Sequence, residues 1–342
     1  MSIESISKPY IGRFAPSPTG PLHFGSLVAA VASYCDAKAI AGKWLVRMED
    51  LDKPREVNGA ADNILQQLEA FGFEWDGEVC YQSKRDALYL EALNHLQKQA
   101  LIYPCTCTRK EIADSSISVG IDGLIYPKTC FLKRSLQPQG LSPQNIPAKA
   151  GYSCVKSNAP EHPLSNSLRE LDSPCTHAAF RAVVSDKNIS FLDAIQGEMT
   201  QNLARDVGDF IVKRADGLFA YQLAVVVDDA AQGVTHIVRG ADLLDSTPRQ
   251  IYLQQCLDLP TPHYAHNPIA TNSAGEKLSK QTLAEPIDKR LARQQLFDAL
   301  SFLGQQPPAE IKSNHLGDIW RWAMTHWNMT NVPQQRKVIV HA

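Results

Sequence analysis

The chain has 342 residues, of which 44% are hydrophobic and 20% are charged, and its formal net charge is −2. That length exceeds one small domain, and the hydrophobic fraction excludes a disordered chain. A charge so close to zero excludes a nucleic-acid binder that relies on overall positive charge, so such contacts would need local patches. No apolar signal segment opens the chain, and no run approaches the roughly 18 apolar residues of a membrane span. We therefore expect a cytoplasmic protein without membrane contact.

The first fifty residues predict two parallel strands joined by a helix. We expect a strand at Tyr10–Ala15, a helix over about 25–41 and a second strand at Lys43–Met48. Prolines and a glycine in Pro16–Pro21 break the pattern between the first strand and the helix. Such a βαβ unit is typical of an α/β fold with a parallel sheet.

The rest of the chain divides into regular segments around an irregular stretch. Two further helices are expected near Ile64–Phe71 and Leu88–Leu96. Prolines and glycines interrupt the hydrophobic periodicity from Cys105 to Cys175, which indicates an insertion. Apolar runs predict strands at Ala178–Val184, Phe210–Lys213, Ala220–Val227 and Thr235–Arg239. Helices are expected at Thr247–Cys256, Asp288–Leu303 and His315–Trp327, with a polar loop at Thr271–Thr282.

The loop that opens the first helix has the features of a phosphate site. His23 stands where a helix begins, and there unpaired backbone N–H groups and the positive end of the helix dipole favour anions. Gly25 has no side chain, so a nucleotide base can approach the backbone. From this segment alone, an ordinary βα loop with one exposed histidine stays open as an alternative.

A second basic segment lies about 250 residues further on, at Lys277-Leu278-Ser279-Lys280-Gln281. Two lysines three residues apart in a polar loop can fold over a triphosphate and stabilise charge on departing pyrophosphate. On its own, a solvated charged turn explains this segment better.

Together the two segments resemble the HIGH and KMSKS signatures of the class I aminoacyl-tRNA synthetases. The second segment has Leu278 where Met is usual and Gln281 in place of the last Ser. The resemblance implies a Rossmann-type parallel-sheet catalytic domain that binds ATP with Mg²⁺. It implies catalysis by His23, Lys277 and Lys280, and an ATP site made of His23, Gly25, Ser26, Lys277, Ser279 and Lys280.

Two further segments, Arg13–Ser17 and Arg47–Asp52, resemble the glutamyl branch of that family. A dicarboxylic substrate needs guanidinium groups for its carboxylates and an acceptor for its ammonium. The resemblance implies a glutamate site of Arg13, Phe14, Ala15, Pro16, Ser17, Glu49, Tyr221 and Arg239. The residues alone leave open a surface charge run at 47–52, a core role for Tyr221 and an ion pair between Arg239 and Asp242. They do not decide which arginine binds which carboxylate.

The region after the KMSKS-like loop is short, with about sixty residues following Gln281. An anticodon-binding region would need more, and the chain in this respect resembles the glutamyl-queuosine tRNA(Asp) synthetases. That resemblance implies ATP, L-glutamate and queuosine-bearing tRNA(Asp) as partners, and we expect a monomer. The alternatives are a shortened glutamyl-tRNA synthetase that charges the 3′ end of tRNA(Glu), a nucleotidyltransferase acting on another small acid, and a catalytically silent tRNA-binding paralogue.

The expected domain organisation follows from these segments. A split nucleotide-binding catalytic domain is expected at 1–104 and 176–262, interrupted by a zinc-bearing insertion at 105–175. A C-terminal region at 263–342 is expected to hold the KMSKS-like loop and a few short helices, without an anticodon-binding domain.

A cysteine cluster falls inside the predicted insertion. Cys105, Cys107 and Cys130 lie in a segment without hydrophobic periodicity, which favours one structural zinc ion. Zinc takes four ligands, and the resemblance gives Tyr126 as the fourth. From the residues alone, three free thiols stay open, as do the alternative fourth ligands Cys154, His162 and Cys175.

Overall fold

The computed structural model describes residues 9–135, 178–278 and 285–340. The helices are α1 (Phe24–Lys38), α2 (Ala60–Ala70), α3 (Asp86–Lys98), α4 (Arg109–Ser115), α5 (Thr129–Ser135), α6 (Leu203–Asp206), α7 (Tyr221–Ala231), α8 (Thr247–Cys256), α9 (Ala292–Phe302) and α10 (Leu316–His326). The strands are β1 (Ile11–Phe14), β2 (Lys43–Met48), β3 (Cys80–Tyr81), β4 (Ile102–Cys105), β5 (Val119–Gly120), β6 (Gly123–Leu124), β7 (Ala179–Ala182), β8 (Asn188–Asp193), β9 (Gly197–Asn202), β10 (Ile211–Lys213), β11 (His236–Gly240), β12 (His263–Asn267), β13 (Ile269–Thr271) and β14 (Lys337–Ile339).

Parallel strands position the functional site. Strand β1 pairs in parallel with β2, and β2 pairs in parallel with β3, which confirms the predicted βαβ unit. On the other edge of β1, the N–H of Thr235 just before β11 donates to the carbonyl of Ile11 over 2.9 Å. Strand β11 pairs in parallel with β12, and β12 with β8. The parallel strands β3-β2-β1 and β11-β12-β8 thus lie edge to edge, with β9 antiparallel beside β8. In such a parallel α/β arrangement, ligands bind at the carboxyl ends of the strands.

Two hydrophobic cores hold these strands between helices. Helix α1 is almost completely buried between the β1–β2 strands and helices α9 and α10, because apolar side chains cover most of its circumference. An aromatic cluster closes this core, with the ring centroids of Tyr34 and Trp320 4.8 Å apart. The second core packs α3 and α7 against strands of the second half, through Tyr89, Leu93, Leu223 and Val226.

One predicted strand is wrong, because Ala220–Val227 forms the start of helix α7. The run Leu223–Val227 is buried on every side, so it lacks both the alternation of a half-buried strand and the polar stripe of a surface helix. An unbroken apolar run does not by itself distinguish the two. The other predicted helices and strands are confirmed within a few residues. The strands β3–β6, β8, β9 and β12–β14 and the short helices α4–α6 were not predicted.

The described part of the predicted insertion contains short elements. Helix α4 begins with a capping box in which Thr108 and Glu111 bond each other's backbone N–H groups. The hairpin β5–β6 and helix α5 follow before residue 136. Among the helices of the three described ranges, none has both the length and the apolar character needed to cross a bilayer.

Candidate active site

A cavity of about 590 Å³ opens at the carboxyl ends of β1, β2 and β11. Its walls come from the loop after β1, the first turn of α1, the carboxyl end of β11 and the segment from β12 to β13, with single residues after β2 and at the start of α7. The predicted residues that line it are Arg13, Phe14, Ala15, Pro16, Ser17, His23, Gly25, Ser26, Glu49, Tyr221, Arg239 and Lys277. The predicted Ser279 and Lys280 lie outside the described residues. One cavity therefore unites the described members of both predicted sites.

His23 caps helix α1 from within this cavity. Its backbone is extended, and its Nδ1 accepts the backbone N–H of Ser26 over 3.3 Å. In the neutral ring this acceptor role places the proton on Nε2, which can then donate to an anion. A Cβ on Gly25 would lie 3.2 Å from the His23 ring and 3.4 Å from the Leu278 carbonyl oxygen. Glycine at this position keeps the floor of the cavity open where a planar base can pack.

The KMSKS-like segment borders the same wall. Lys277 forms an ion pair with Asp242 over 2.6 Å, and the N–H of Leu278 donates to the carbonyl of Ala270. Further along the chain, Pro286 pairs with His23, and the N–H of Ile287 donates to the Leu22 carbonyl over 2.9 Å. The described residues Leu278 and Pro286 therefore both lie beside the first turn of α1.

Arg13 lies deep in the opposite half of the cavity, with 3% of its surface exposed. Its guanidinium donates to both carboxylate oxygens of Asp229 on α7, at 3.1 and 3.5 Å. Arg47, which is fully buried, donates to the same carboxylate over 2.7 Å. Burial would raise the pKa of Asp229, but the two arginines hold it below the ordinary value. An ionised Asp229 thus fixes two guanidinium groups behind the pocket.

Glu49 follows β2 and faces the same charges. Its Oε1 lies 3.4 Å from Nη2 of Arg47, and 10% of its side chain is exposed. Burial raises the pKa of Glu49 above its usual range, because the loss of water outweighs the attraction of Arg47 and Arg13. A ligand ammonium beside this carboxyl would restore the lost stabilisation of its charge. The burial of Arg47 also rules out a solvated surface run at this position.

Arg239 on β11 is held by polar groups that carry no net charge at neutral pH. Its Nε donates to His266 over 3.0 Å, its Nη2 to Gln250 over 2.8 Å and its Nη1 to the hydroxyl of Tyr221 over 3.4 Å. Asp242, the alternative partner predicted for Arg239, pairs with Lys277 instead. Tyr221 accordingly belongs to the cavity wall and the guanidinium contacts, as well as to the apolar core behind it.

The predicted cysteine cluster is also present. The sulfur atoms of Cys105, Cys107 and Cys130 all lie within 4.8 Å of one another. The phenol oxygen of Tyr126 lies 3.3 Å from the sulfur of Cys105 and 3.4 Å from that of Cys107. The backbone N–H of Cys130 donates to the same oxygen over 3.0 Å. The alternative fourth ligands Cys154, His162 and Cys175 lie outside the described residues.

This cluster has the spacing that a metal ion requires. A tetrahedral ion with bonds of about 2.3 Å to sulfur separates its ligand atoms by roughly 3.5–4 Å. Burial would raise the pKa of the Cys130 thiol, but hydrogen bonds from Tyr126 and the backbone of Thr106 lower it to about 7. A thiolate is then accessible at neutral pH, and the cluster can bind a metal ion.

Sequence reasoning missed three buried polar residues of this site: Asp193, Asp229 and His266. Asp229 lies 216 positions from Arg13, and His266 lies 73 positions from Asp193 and 27 from Arg239, so no local spacing relates them. One signal was available, since the charged pair Asp228-Asp229 directly follows a wholly apolar run. Charged groups next to such a run need buried partners.

Comparison with known proteins gives a consistent result. The family "tRNA synthetases class I (E and Q), catalytic domain" matches residues 11–118 and 157–309. The Glutamyl-Q tRNA(Asp) synthetase of Dechloromonas aromatica (strain RCB) is 51% identical over 338 residues, which cover 98% of this chain and 100% of that protein. Its counterpart from Thiobacillus denitrificans (strain ATCC 25259 / T1) is 50% identical over 323 residues, 94% of this chain and 95% of that protein.

A solved structure agrees on the fold. The crystal structure of glutamate-tRNA synthetase from Elizabethkingia anophelis superposes with a TM-score of 0.71 at 21% identity. The match covers 98% of this chain and 68% of that one. The parallel α/β architecture is therefore shared with that structure.

Proposed function

This chain belongs to the glutamyl-Q tRNA(Asp) synthetases, within the class I tRNA synthetases of the E and Q type, and we propose that it activates L-glutamate with ATP and transfers the glutamyl group to the queuosine base of tRNA(Asp). The observation that carries this proposal is the single cavity lined by both His23 and the arginines Arg13 and Arg239. The half of the cavity beside His23 suits phosphates, and the half beside Arg13 and Arg239 suits a dicarboxylic amino acid.

In the first step an oxygen of the glutamate α-carboxylate attacks the α-phosphorus of ATP. A P–O bond forms, the bond to pyrophosphate breaks, and glutamyl-adenylate remains. The carboxylate is already ionised, so positioning and electrostatic stabilisation supply the catalysis. His23, the first turn of α1 and Lys277 stabilise the negative charge, and we assign Lys280 to the departing pyrophosphate. Mg²⁺ bound to the ATP would shield its phosphate charges.

The glutamate is held by groups of opposite charge. Arg13 and Arg239 take its carboxylates, while Glu49 accepts its ammonium. The cavity wall between the two half-sites is formed by the end of β1 and the loop after it, through Phe14, Ala15, Pro16 and Ser17. Tyr221 closes the pocket beside Arg239. Gly25 and Ser26, with Ser279, complete the ATP site.

In the second step a hydroxyl of the cyclopentene ring of queuosine attacks the glutamyl carbonyl carbon. The ester bond forms, the mixed anhydride breaks and AMP leaves. The hydroxyl proton passes to the departing phosphate, which is the base nearest to the reacting atoms in such an adduct.

We assign one structural zinc ion to Cys105, Cys107, Cys130 and Tyr126. The distances among these ligand atoms fit a closed tetrahedral shell, which leaves no open position for catalysis. The metal would cross-link β4, the loop before α5 and α5 itself. We also propose a catalytic domain split between 1–104 and 176–262, with 105–175 as the insertion between its two parts and 263–342 as the C-terminal region.

The test supplies radiolabelled glutamate and ATP to the purified protein with one of three RNAs: tRNA(Asp) with queuosine, tRNA(Asp) without it, or tRNA(Glu). Nuclease mapping then locates the label. We expect label in the anticodon loop of the first RNA alone. Label at the 3′ end of tRNA(Glu) would overturn the acceptor assignment in favour of a shortened glutamyl-tRNA synthetase. Absence of glutamate-dependent ATP–pyrophosphate exchange would overturn the activation step itself.

A further inference from the structure

A buried carboxylate–imidazole pair lies behind Arg239, and the mechanism above makes no use of it. Asp193 ends β8, His266 lies on β12 and Arg239 lies on β11, which are neighbouring parallel strands. Arg239 and His266 are direct partners in the β11–β12 register. The three side chains form a continuous chain of contacts that ends at the cavity.

Asp193 is fixed by its backbone surroundings. Its Oδ1 accepts three backbone N–H groups, from Ile195 at 3.0 Å, Gln196 at 2.9 Å and His266 at 3.1 Å. Its Oδ2 faces Nδ1 of His266 at 2.5 Å. These contacts leave one arrangement of the carboxylate, in which only Oδ2 is directed to the imidazole.

His266 is completely buried and links the carboxylate to the guanidinium. Because Nδ1 donates its proton to Asp193, Nε2 has a lone pair, which accepts the N–H of Arg239 Nε over 3.0 Å. Burial lowers the pKa of His266 to about 4, against the opposing effect of Asp193, so the ring is neutral at pH 7. A neutral ring of this tautomer is the form that can accept from an arginine.

The contacts on one edge of Arg239 direct the other edge into the cavity. Nε is bound by His266, and Nη2 is bound by Thr247 at 3.0 Å and Gln250 at 2.8 Å. Nη1 is directed to the Tyr221 hydroxyl and the cavity. We propose that Asp193 and His266 are positioning residues that hold the Arg239 guanidinium plane in place for a carboxylate of the substrate. This inference rests on the proposed function, because it takes glutamate as the ligand of Arg239.

The contacts of Asp193 make Asp193→Asn an informative change. Three backbone donors retain the amide oxygen of the new side chain, so its NH₂ group must face Nδ1 of His266. Nδ1 then becomes the acceptor and Nε2 takes the proton. The N–H of Arg239 would then face another N–H donor in place of an acceptor. The change alters no group in the cavity and yet should displace the guanidinium.

The test measures glutamate-dependent ATP–pyrophosphate exchange with Asp193→Asn, His266→Leu and His266→Gln. We expect the KM for glutamate to rise about 10- to 100-fold in the first two variants, because a misplaced binding group weakens substrate positioning. The KM for ATP should stay within about threefold. His266→Gln retains an acceptor near the position of Nε2, so it should recover most of the lost affinity.

Controls separate this role from a general loss of structure. Asp209→Asn changes another buried aspartate, which accepts from Tyr103 and the N–H of Val184 away from the cavity. It should lower the melting temperature and leave the KM for glutamate unchanged. In an Arg239→Lys background, Asp193→Asn should add less than about a twofold effect, whereas in an Arg13→Lys background its effect should persist.

An unchanged KM for glutamate in both Asp193→Asn and His266→Leu would overturn the inference, as would equal effects on the KM values for glutamate and ATP. A wild-type protein without exchange activity would instead overturn the proposed function. The two failures are therefore distinguishable in one set of measurements.

Discussion

Removal of the Asp229 carboxylate should damage the protein far more than removal of an exposed one. Asp229 is 3% exposed and accepts from two arginines, Arg13 at 3.1 Å and Arg47 at 2.7 Å. In the variant Asp229→Asn, the amide neutralises neither guanidinium. Both arginines then keep their charge in a site almost without water, where an unpaired charge is costly.

The structure sets the size of this effect. Breaking a buried ion pair by removing one partner costs about 3–5 kcal/mol. The upper end applies to Arg13, since Asp229 is its carboxylate partner in the described structure, whereas Arg47 retains Glu49 at 3.4 Å and Asp228 at 3.9 Å. For a chain of this length about 1 kcal/mol corresponds to roughly 2 °C, so we expect the melting temperature to fall by about 6–10 °C.

Thermal unfolding followed by circular dichroism measures the effect, with Asp216→Asn as the matched control. Asp216 also pairs with an arginine, Arg214, but both side chains are more than 40% exposed. Exposed pairs contribute less than about 1 kcal/mol, so the control should unfold within about 2 °C of the wild type. A melting temperature of Asp229→Asn equal to that of the control would refute the assignment of Asp229 as the counter-ion of the buried arginines.

Three further predictions concern the two half-sites and the cysteine cluster. Lys280→Ala should reduce ATP–pyrophosphate exchange by about 100-fold or more through loss of charge stabilisation, while Lys289→Ala, an exposed lysine bound to Gln66, leaves it unchanged. Cys105→Ser should lose bound zinc by elemental analysis, and stoichiometric metal in that variant would contradict the proposed ligand set, with Cys256→Ser as control. Glu49→Gln should raise the melting temperature at pH 7.5. Because the pKa of Glu49 is raised in the folded protein, ionisation of this carboxyl destabilises the fold at pH values above its ordinary pKa of 4.5. That gain should vanish at about pH 4, and the KM for glutamate should rise. A variant with the melting temperature of the wild type at both pH values would count against a buried, destabilised carboxylate.

The sequence predicted the βαβ unit because each of its signals is local. Breakers at Pro16–Pro21, the helix start at His23 and the apolar run of β2 each span only a few residues. His23, Gly25, Ser26 and Lys277 could be predicted for a related reason, since the loop after β1 and the segment before Lys280 form short motifs. Glu49, Tyr221 and Arg239 were expected from the resemblance to the glutamyl branch. Their meeting in one cavity follows from parallel strands, whose carboxyl ends share one edge of the sheet.

The supporting residues were beyond such reasoning. Asp229 contacts Arg13 across 216 positions, and His266 contacts Asp193 across 73, so only the fold relates them. Helix α7 was mistaken for a strand for a physical reason as well. Residues 223–227 are enclosed by other elements on all sides, and tertiary burial removed the periodicity that would have identified the helix.

The two arginines of the proposed glutamate pocket differ in how their charge is balanced, and this difference has a consequence for binding. Arg13 shares the carboxylate of Asp229, whereas within the part of the chain that the structure describes Arg239 has no carboxylate oxygen within 4.0 Å. Its partners His266, Thr247, Gln250 and Tyr221 are neutral. The unbalanced positive charge of the pocket is thus concentrated at Arg239, where a substrate carboxylate gains the most. Because burial lowers the pKa of His266 to about 4, the imidazole stays neutral and continues to accept from Arg239 across the neutral pH range.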